Sequence, residues 1–321
     1  MQKLYVILLI LLQLFLPACQ VLTPGCTDPL ANNYDPSAIK NDGSCTYDPV
    51  AASPLKTIIL DPALSESSGL IIWDGYIWTH NDDTDTTLYG LDPNSAGIVK
   101  EYHLEGVKNT DWEEISQDEQ YIYIGDFGNN GSGNRRDLHI LRIEKSSLLA
   151  GNAMIDTIWF SYSDQTDFSP QKVHMTDFDC EAMIVSNDSI YLFTKQWVSA
   201  GTSIYSLAKY PGTHKAQYKA SHDIQGLVSG ASYTESKQQI VLTAYTTLLD
   251  PFFYILSDFS GMDFFSGNKQ RVGMSLPFYQ IEGITTADGL HYYVSNELNT
   301  IDPLKKRTQS LHIFDLSPYL N

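Results

Sequence analysis

Positive charge and cysteine are scarce in this chain, and so is helical periodicity. Only 20 lysines and arginines stand against 38 aspartates and glutamates, a net charge of −18 over 321 residues. That balance removes the basic face nucleic-acid binding needs. It suits divalent cations or cationic partners instead. After Leu16 every apolar run is far shorter than the roughly 20 residues a membrane-spanning helix takes. No Gly-x-Ser-x-Gly elbow and no His-Glu-x-x-His pair occurs, so two common hydrolase signatures are missing. Residues 125–133 are rich in Gly and Asn, but no helix and no Lys-Ser/Thr follow, which excludes a phosphate loop. Helical spacing is confined to a weak stretch over 146–154.

What is present begins with MQKLYVILLILLQLFLPA, where Lys3 is the only charge. A basic start, an apolar run from Leu4 to Leu16 and a small residue before Cys19 follow the order of a secretory signal, predicted over residues 1–18. Leu16-Pro17-Ala18-Cys19 resembles a bacterial lipobox. The resemblance implies a lipidated Cys19, a tether over 19–25 and a mature chain held on a membrane by acyl chains. It places the protein in the cell envelope, periplasmic or on the outer-membrane surface. The other cysteines are Cys26, Cys45 and Cys180. In an oxidising compartment Cys26 and Cys45 are able to pair. Cys180 is either a small core residue or a lone nucleophile.

Residues 26–48 form an acidic box. Asp28, Asp35, Asn41 and Asp42 offer oxygen ligands and Gly43 a sharp turn, a chemistry that suits Ca²⁺. Asp28 and Asp42 are its candidate metal ligands. The box has too few apolar residues for a core, so a disulfide, with or without a metal, must stand in for one. Gly25, Cys26, Thr27, Asp28, Ala31, Asn33, Tyr34, Ala38, Asp42, Gly43, Ser44 and Cys45 together resemble a short Cys-bounded repeat common in secreted proteins of Bacteroidetes. Asn41 stands where that repeat has the first of two aspartates. The stretch also looks like a distant relative of thrombospondin type-3 calcium repeats. A disulfide-only spacer is the other reading. Prolines and small residues mark the end of the box, and residues 49–54 read as a linker. The box is expected to fold separately from the rest of the chain.

From residue 55 to 321 the chain is a succession of short apolar or alternating runs, an all-β pattern. It repeats. Ser68-Gly69-Leu70, Glu113-Glu114-Ile115, Glu181-Ala182-Met183, Ser229-Gly230-Ala231 and Glu282-Gly283-Ile284 start 45, 68, 48 and 53 residues apart. Each leads into an apolar-aromatic strand with a polar end. One such period fits one four-stranded propeller blade. The last unit is one strand short, while an orphan strand, Lys56 to Leu60, precedes the first. A five-bladed β-propeller closed by that N-terminal strand is therefore predicted. A six-bladed ring, with the 68-residue unit hiding a blade, is the alternative.

Propeller geometry would place the triplets on the innermost strands and bring Glu113, Glu181 and Glu282 to one axis. Crowded carboxylates repel, so some are protonated, or a cation such as Ca²⁺ sits among them, or they cap backbone amides of neighbouring blades. The ends of the second strands would add Asn81, Asp82, Asp126, Asn296 and Glu297 on one rim, and His80, beside Asn81 and Asp82 on that rim, is a candidate general base. Arg136 is a candidate anion partner, and Glu181 completes the candidate catalytic set. Trp78-Thr79-His80-Asn81-Asp82, residues 109–115, residues 125–130, Arg136 and residues 179–183 resemble a family of secreted bacterial propellers without assigned chemistry. A likeness in architecture only is to five-bladed calcium-dependent nucleotidases and phytase-like propellers. The expectation is an envelope-anchored monomer that binds a small-molecule, glycan or protein ligand or acts as a scaffold, with Ca²⁺ as cofactor and no nucleic acid. The alternative is a calcium-dependent hydrolase of a phosphate ester.

Overall fold

A computed structural model describes residues 23–300 and 306–321. The signal segment 1–18 and Cys19 lie outside the described residues. None of the helices among the described residues is long and apolar enough to cross a membrane.

Two short strands, β1 (Pro24–Gly25) and β2 (Lys40–Asn41), pair in parallel within the box. Then come β3 (Val50–Ala52) and β4 (Lys56–Ile59). The body follows as groups of four: β5 (Ser67–Trp73), β6 (Tyr76–Asn81), β7 (Thr87–Leu91) and β8 (Ile98–His103); β9 (Trp112–Gln117), β10 (Tyr121–Asp126), β11 (His139–Glu144) and β12 (Ile155–Tyr162); β13 (Asp179–Ser186), β14 (Ser189–Lys195), β15 (Thr202–Ala208) and β16 (Gly212–His222); β17 (Leu227–Thr234), β18 (Gln239–Tyr245), β19 (Pro251–Ser257) and β20 (Asn268–Met274). The last group has β21 (Ile281–Thr286), β22 (His291–Asn296) and β23 (Ser310–Asp315). Its fourth strand is β4, antiparallel to β23 with Ile58 opposite Leu311. The weak helical stretch is one short helix, α1 (Lys145–Leu149).

Strands within a group are antiparallel neighbours. The second and third groups are further joined through a parallel β12·β16 pairing into one eight-stranded sheet. Between β12 and β13 lie residues 163–178, which carry no strand and account for much of the long second period. The first strands of the groups lie side by side in turn, β5 on β9, β9 on β13, β13 on β17, β17 on β21 and β21 back on β5. Apolar clusters fill the space between successive groups; Trp78 and Trp112 share one, and Phe253 and Phe314 another. This is the arrangement of a β-propeller. It explains why strands such as β14 read apolar without alternation: both faces pack on a neighbouring sheet.

The segment expected as a linker is not one. Val50–Ala52 pairs in parallel with β20 as a fifth strand of that sheet. Nor does the box stand apart. Thr27 Oγ1 donates to Asp258 Oδ2 at 2.8 Å, and Asn41 Nδ2 donates to Asp258 Oδ2 at 2.8 Å and Asn268 Oδ1 at 2.7 Å. Asn41 thus has a physical reason to replace an aspartate: a carboxylate has no donor for Asp258 and would repel it. The Cys26–Cys45 disulfide is present.

Candidate functional site

The five triplets all lie on the inner strands, and at each of them the pairing with the second strand slips. The shift falls between Ser67 and Leu70, at Glu113 opposite Gly125 and Asp126, between Cys180 and Ala182, between Val228 and Gly230, and between Ile281 and Ile284. A β-bulge re-aims a side chain. Repeated around a ring, it re-aims the chain at the same point of every inner strand. The small middle residues serve the same packing: a Cβ on Gly283 would overlap the Ser68 carbonyl, and one on Gly230 the Glu282 carbonyl. Hydroxyls stitch the freed carbonyls together. Ser68 Oγ donates to Glu113 O, Thr243 Oγ1 to Glu282 O at 3.0 Å, and Ser295 Oγ to Ser68 O at 3.2 Å.

Glu113, Glu181 and Glu282 are buried, and Glu181 lies within electrostatic reach of the other two. The cation among them is built in. Lys195 ends β14 with its Nζ 3.1 Å from Glu181 Oε2, both side chains almost fully buried. Its ammonium also lies 4.9 Å from the Trp197 ring centre and 5.1 Å from that of Tyr245. Burial opposes the charge on Lys195, but Glu181, Tyr245 and Glu282 hold its pKa well above the ordinary lysine value.

More carboxyls converge than the triplets supply. The carboxyls of Asp111 and Glu113 crowd over Gly128, where no Cβ would fit. Asp179 accepts from Asn129 N at 2.5 Å and Trp197 Nε1 at 2.7 Å. Arg135 pairs with Asp126 at 2.6 Å. On the opposite side Gln280 Nε2 bridges Glu282 Oε1 at 3.0 Å and Glu297 Oε2 at 2.7 Å. One oxygen each of Glu66, Asp82 and Glu297 lies within 4.8 Å of the other two. Burial, with neighbouring carboxylates adding to it, pushes Asp111 up to about 6 and Asp82 to about 7. Glu181 and Glu282 also rise to about 7 through burial, although Lys195 opposes the rise.

Amide capping does occur, but through the middle residue of the second triplet. Glu114 is fully buried and accepts from Ile115 N at 3.0 Å and from Ala231 N at 2.9 Å, so it reaches from β9 across the ring to β17. Beyond it, Leu70, Ile115, Ala231 and Ile284, third residues of four triplets, line a small opposite opening of about 110 Å³.

His80 and Arg136 are not at this mouth in usable form. His80 is fully buried edge-on against Trp112, its Nδ1 on Asn81 O, and burial lowers its pKa to about 4. It sits inside a sheet interface rather than on a rim, because β6 is buried on both faces. Arg136 is exposed and lies over the Phe168 ring at 3.8 Å; its neighbour Arg135 is the one that turns inward. Asp28 and Asp42 are apart from the axis. Asp28 is buried and accepts from Leu30 N and Tyr47 OH, and Asp42 caps Ser44 N. Cys180 is free and fully buried in the core.

Beside the carboxyl belt opens a pocket of about 400 Å³. Trp197, Tyr245 and Lys195 form its inner wall, and Asn130, Gln280 and Thr246 add amides and a hydroxyl. His174 stacks on Trp197 at 3.9 Å between ring centres. Sequence reading missed Lys195, Trp197 and Glu66. The signal for Lys195 was its position: it ends the second strand of its blade, as Asn81, Asp126, Tyr245 and Asn296 end theirs.

No protein-family model matches the chain. A stretch of 35 residues, 11% of this chain, is 60% identical to chloroplastic ribulose bisphosphate carboxylase/oxygenase activase of Spinacia oleracea and spans 7% of that protein. Solved structures with some likeness include XC5397, a gluconolactonase from Xanthomonas campestris, at 14% identity and TM-score 0.43 over 84% of this chain and 88% of that one. The WD40 repeats of RRP9 align at 9% identity and TM-score 0.45, over 84% and 99%. The Cps50 propeller domain of Myceliophteria thermophila aligns at 7% and 0.44, over 83% and 100%. At such distances none of them says what this chain binds.

Proposed function

We propose that this chain is a five-bladed β-propeller, lipid-anchored in the cell envelope through Cys19, that binds a small hydroxyl-rich ligand of the saccharide class at its axial mouth. The observation that carries the reading is the pocket wall. Aromatic faces and neutral amide and hydroxyl groups share one concave surface with a single buried ammonium, Lys195. Aromatic rings cover the apolar faces of a sugar, while amides both donate to and accept from its hydroxyls. The pocket wall supplies no carboxylate base, and His80 and Arg136 do not face it. Binding therefore accounts for the site with fewer requirements than hydrolysis of a phosphate ester. Five inner strands in a ring, with β4 completing the last group, support the count of five blades.

The test is tryptophan fluorescence of the purified protein titrated with a panel of hexoses, uronic acids and their short oligomers. At least one panel member should saturate a fluorescence change, and Trp197→Ala should abolish it. A panel without any binder, or binding that survives Trp197→Ala unchanged, would overturn the saccharide reading.

A further inference from the structure

We propose that Glu66, Asp82 and Glu297, with Glu282 behind them, form a Ca²⁺ site at the junction of the last and first blades. Of the glutamates that the repeat pattern singled out, only Glu282 belongs to this set. The inference does not rest on the saccharide reading.

Three elements converge there. Glu66 directly precedes β5, Asp82 directly follows β6, and Glu297 directly follows β22. Asp82 N donates to Glu66 O at 3.0 Å, which fixes these two next to each other. Their carboxylate oxygens and that of Glu297 lie within 4.8 Å of one another. Oxygens on opposite sides of a calcium ion, each at about 2.3–2.6 Å, are up to about 5 Å apart.

The second observation is Glu282. Its side chain is 2% exposed, and its Oε2 has no hydrogen-bond partner, although Oε1 is held by Gln280. The same Gln280 amide holds Glu297, so the unpartnered oxygen belongs to a carboxyl one amide away from the cluster. A buried acceptor left without a donor is costly. A Ca²⁺ ion held by the three neighbouring carboxyls would lower that cost through its charge. Lys195 lies within electrostatic reach of Glu282, but its direct ion pair is with Glu181 and it makes no hydrogen bond to Glu282 Oε2.

The experiment uses the full-length protein in detergent, first stripped with EGTA. CaCl₂ is titrated while melting temperature is followed, and Tb³⁺ luminescence reports the site directly. Calcium should raise the melting temperature, and EGTA should reverse the rise. Glu297→Gln and Asp82→Asn should each weaken the apparent affinity at least tenfold. Without calcium neither should melt lower than wild type, because each removes a repelling charge. Asp42→Asn, in the box, should leave the affinity unchanged. Wild-type affinity in Glu297→Gln and Asp82→Asn, or no response of wild type to calcium by either readout, would overturn the proposal. Trp197→Ala should keep the calcium response, so a failed saccharide titration leaves this test standing.

Discussion

Among single residues, Lys195 has the largest consequence for this site. A buried ion pair contributes little net stability when whole, but removing one partner strands the other. Lys195→Met would leave Glu181 and Glu282 without the cation that opposes their pKa rise. The sign with pH follows. In the native state these carboxyls titrate near 7 rather than near the ordinary glutamate value. Their burial therefore costs nothing below the ordinary value and destabilises increasingly as pH climbs from there through 7. Loss of Lys195 lifts them further, so the deficit must grow with pH. Lys195→Met should be about 3–5 kcal/mol less stable than wild type at pH 8 and close to wild type at pH 5. Denaturant melts at the two pH values check this, and an equal deficit at both would refute it. Lys195 was hard to find from sequence because a lysine at a strand end ordinarily points to solvent. Only the ring makes that end an interior.

Elements were more legible than residues. The inner strands announced themselves through the triplets, because a bulge facing a ring axis demands a small residue next to an acceptor-rich or hydroxylated one. Outer strands showed too, since their apolar runs are bounded by turn residues. Val50–Ala52 escaped notice because three small or exposed residues carry no period. His80 was misplaced for the opposite reason: with both faces of β6 buried, alternation cannot say which side chains reach the rim. The triplet glycines allow a direct check. Gly283→Ala would drive a methyl group into the Ser68 carbonyl and the Leu70 side chain. Overpacking against backbone costs about 1–3 kcal/mol, and the upper end is expected here because the neighbour is a strand. Gly75→Ala is the control. Its φ is +80° but nothing lies within 4 Å of its Cβ, so it loses only the backbone freedom of glycine, about 1 kcal/mol. Equal melting temperatures for the two variants would mean that the inner strands are not held at contact distance.

At the scale of the whole molecule, one segment decides whether the ring is a ring. Residues 50–60 pair with two different blades, β3 with β20 and β4 with β23. Tyr319 OH donates to Ala51 O at 3.2 Å, and Leu60 enters the core shared by the last and first blades. The box before them touches the body mainly through polar contacts at Asp258 and Asn268. The two parts should therefore respond differently to deletion. A chain lacking residues 23–48 keeps β4 and should elute in the same oligomeric state as the full chain, with a melting temperature near that of the full chain. One lacking residues 23–61 leaves β23 as an unpaired edge of six residues. Unpaired strand edges recruit other strands, so this protein should elute as oligomers or aggregate and should lose cooperative melting. Loss of the proposed calcium site would follow, because Glu66 and Asp82 are held against Glu297 only while the last blade meets the first. Size-exclusion chromatography and calcium titration of the two deletions read both effects. A monomeric, cooperatively melting 23–61 deletion would show that the inner-strand contacts hold the blades together without the N-terminal strand.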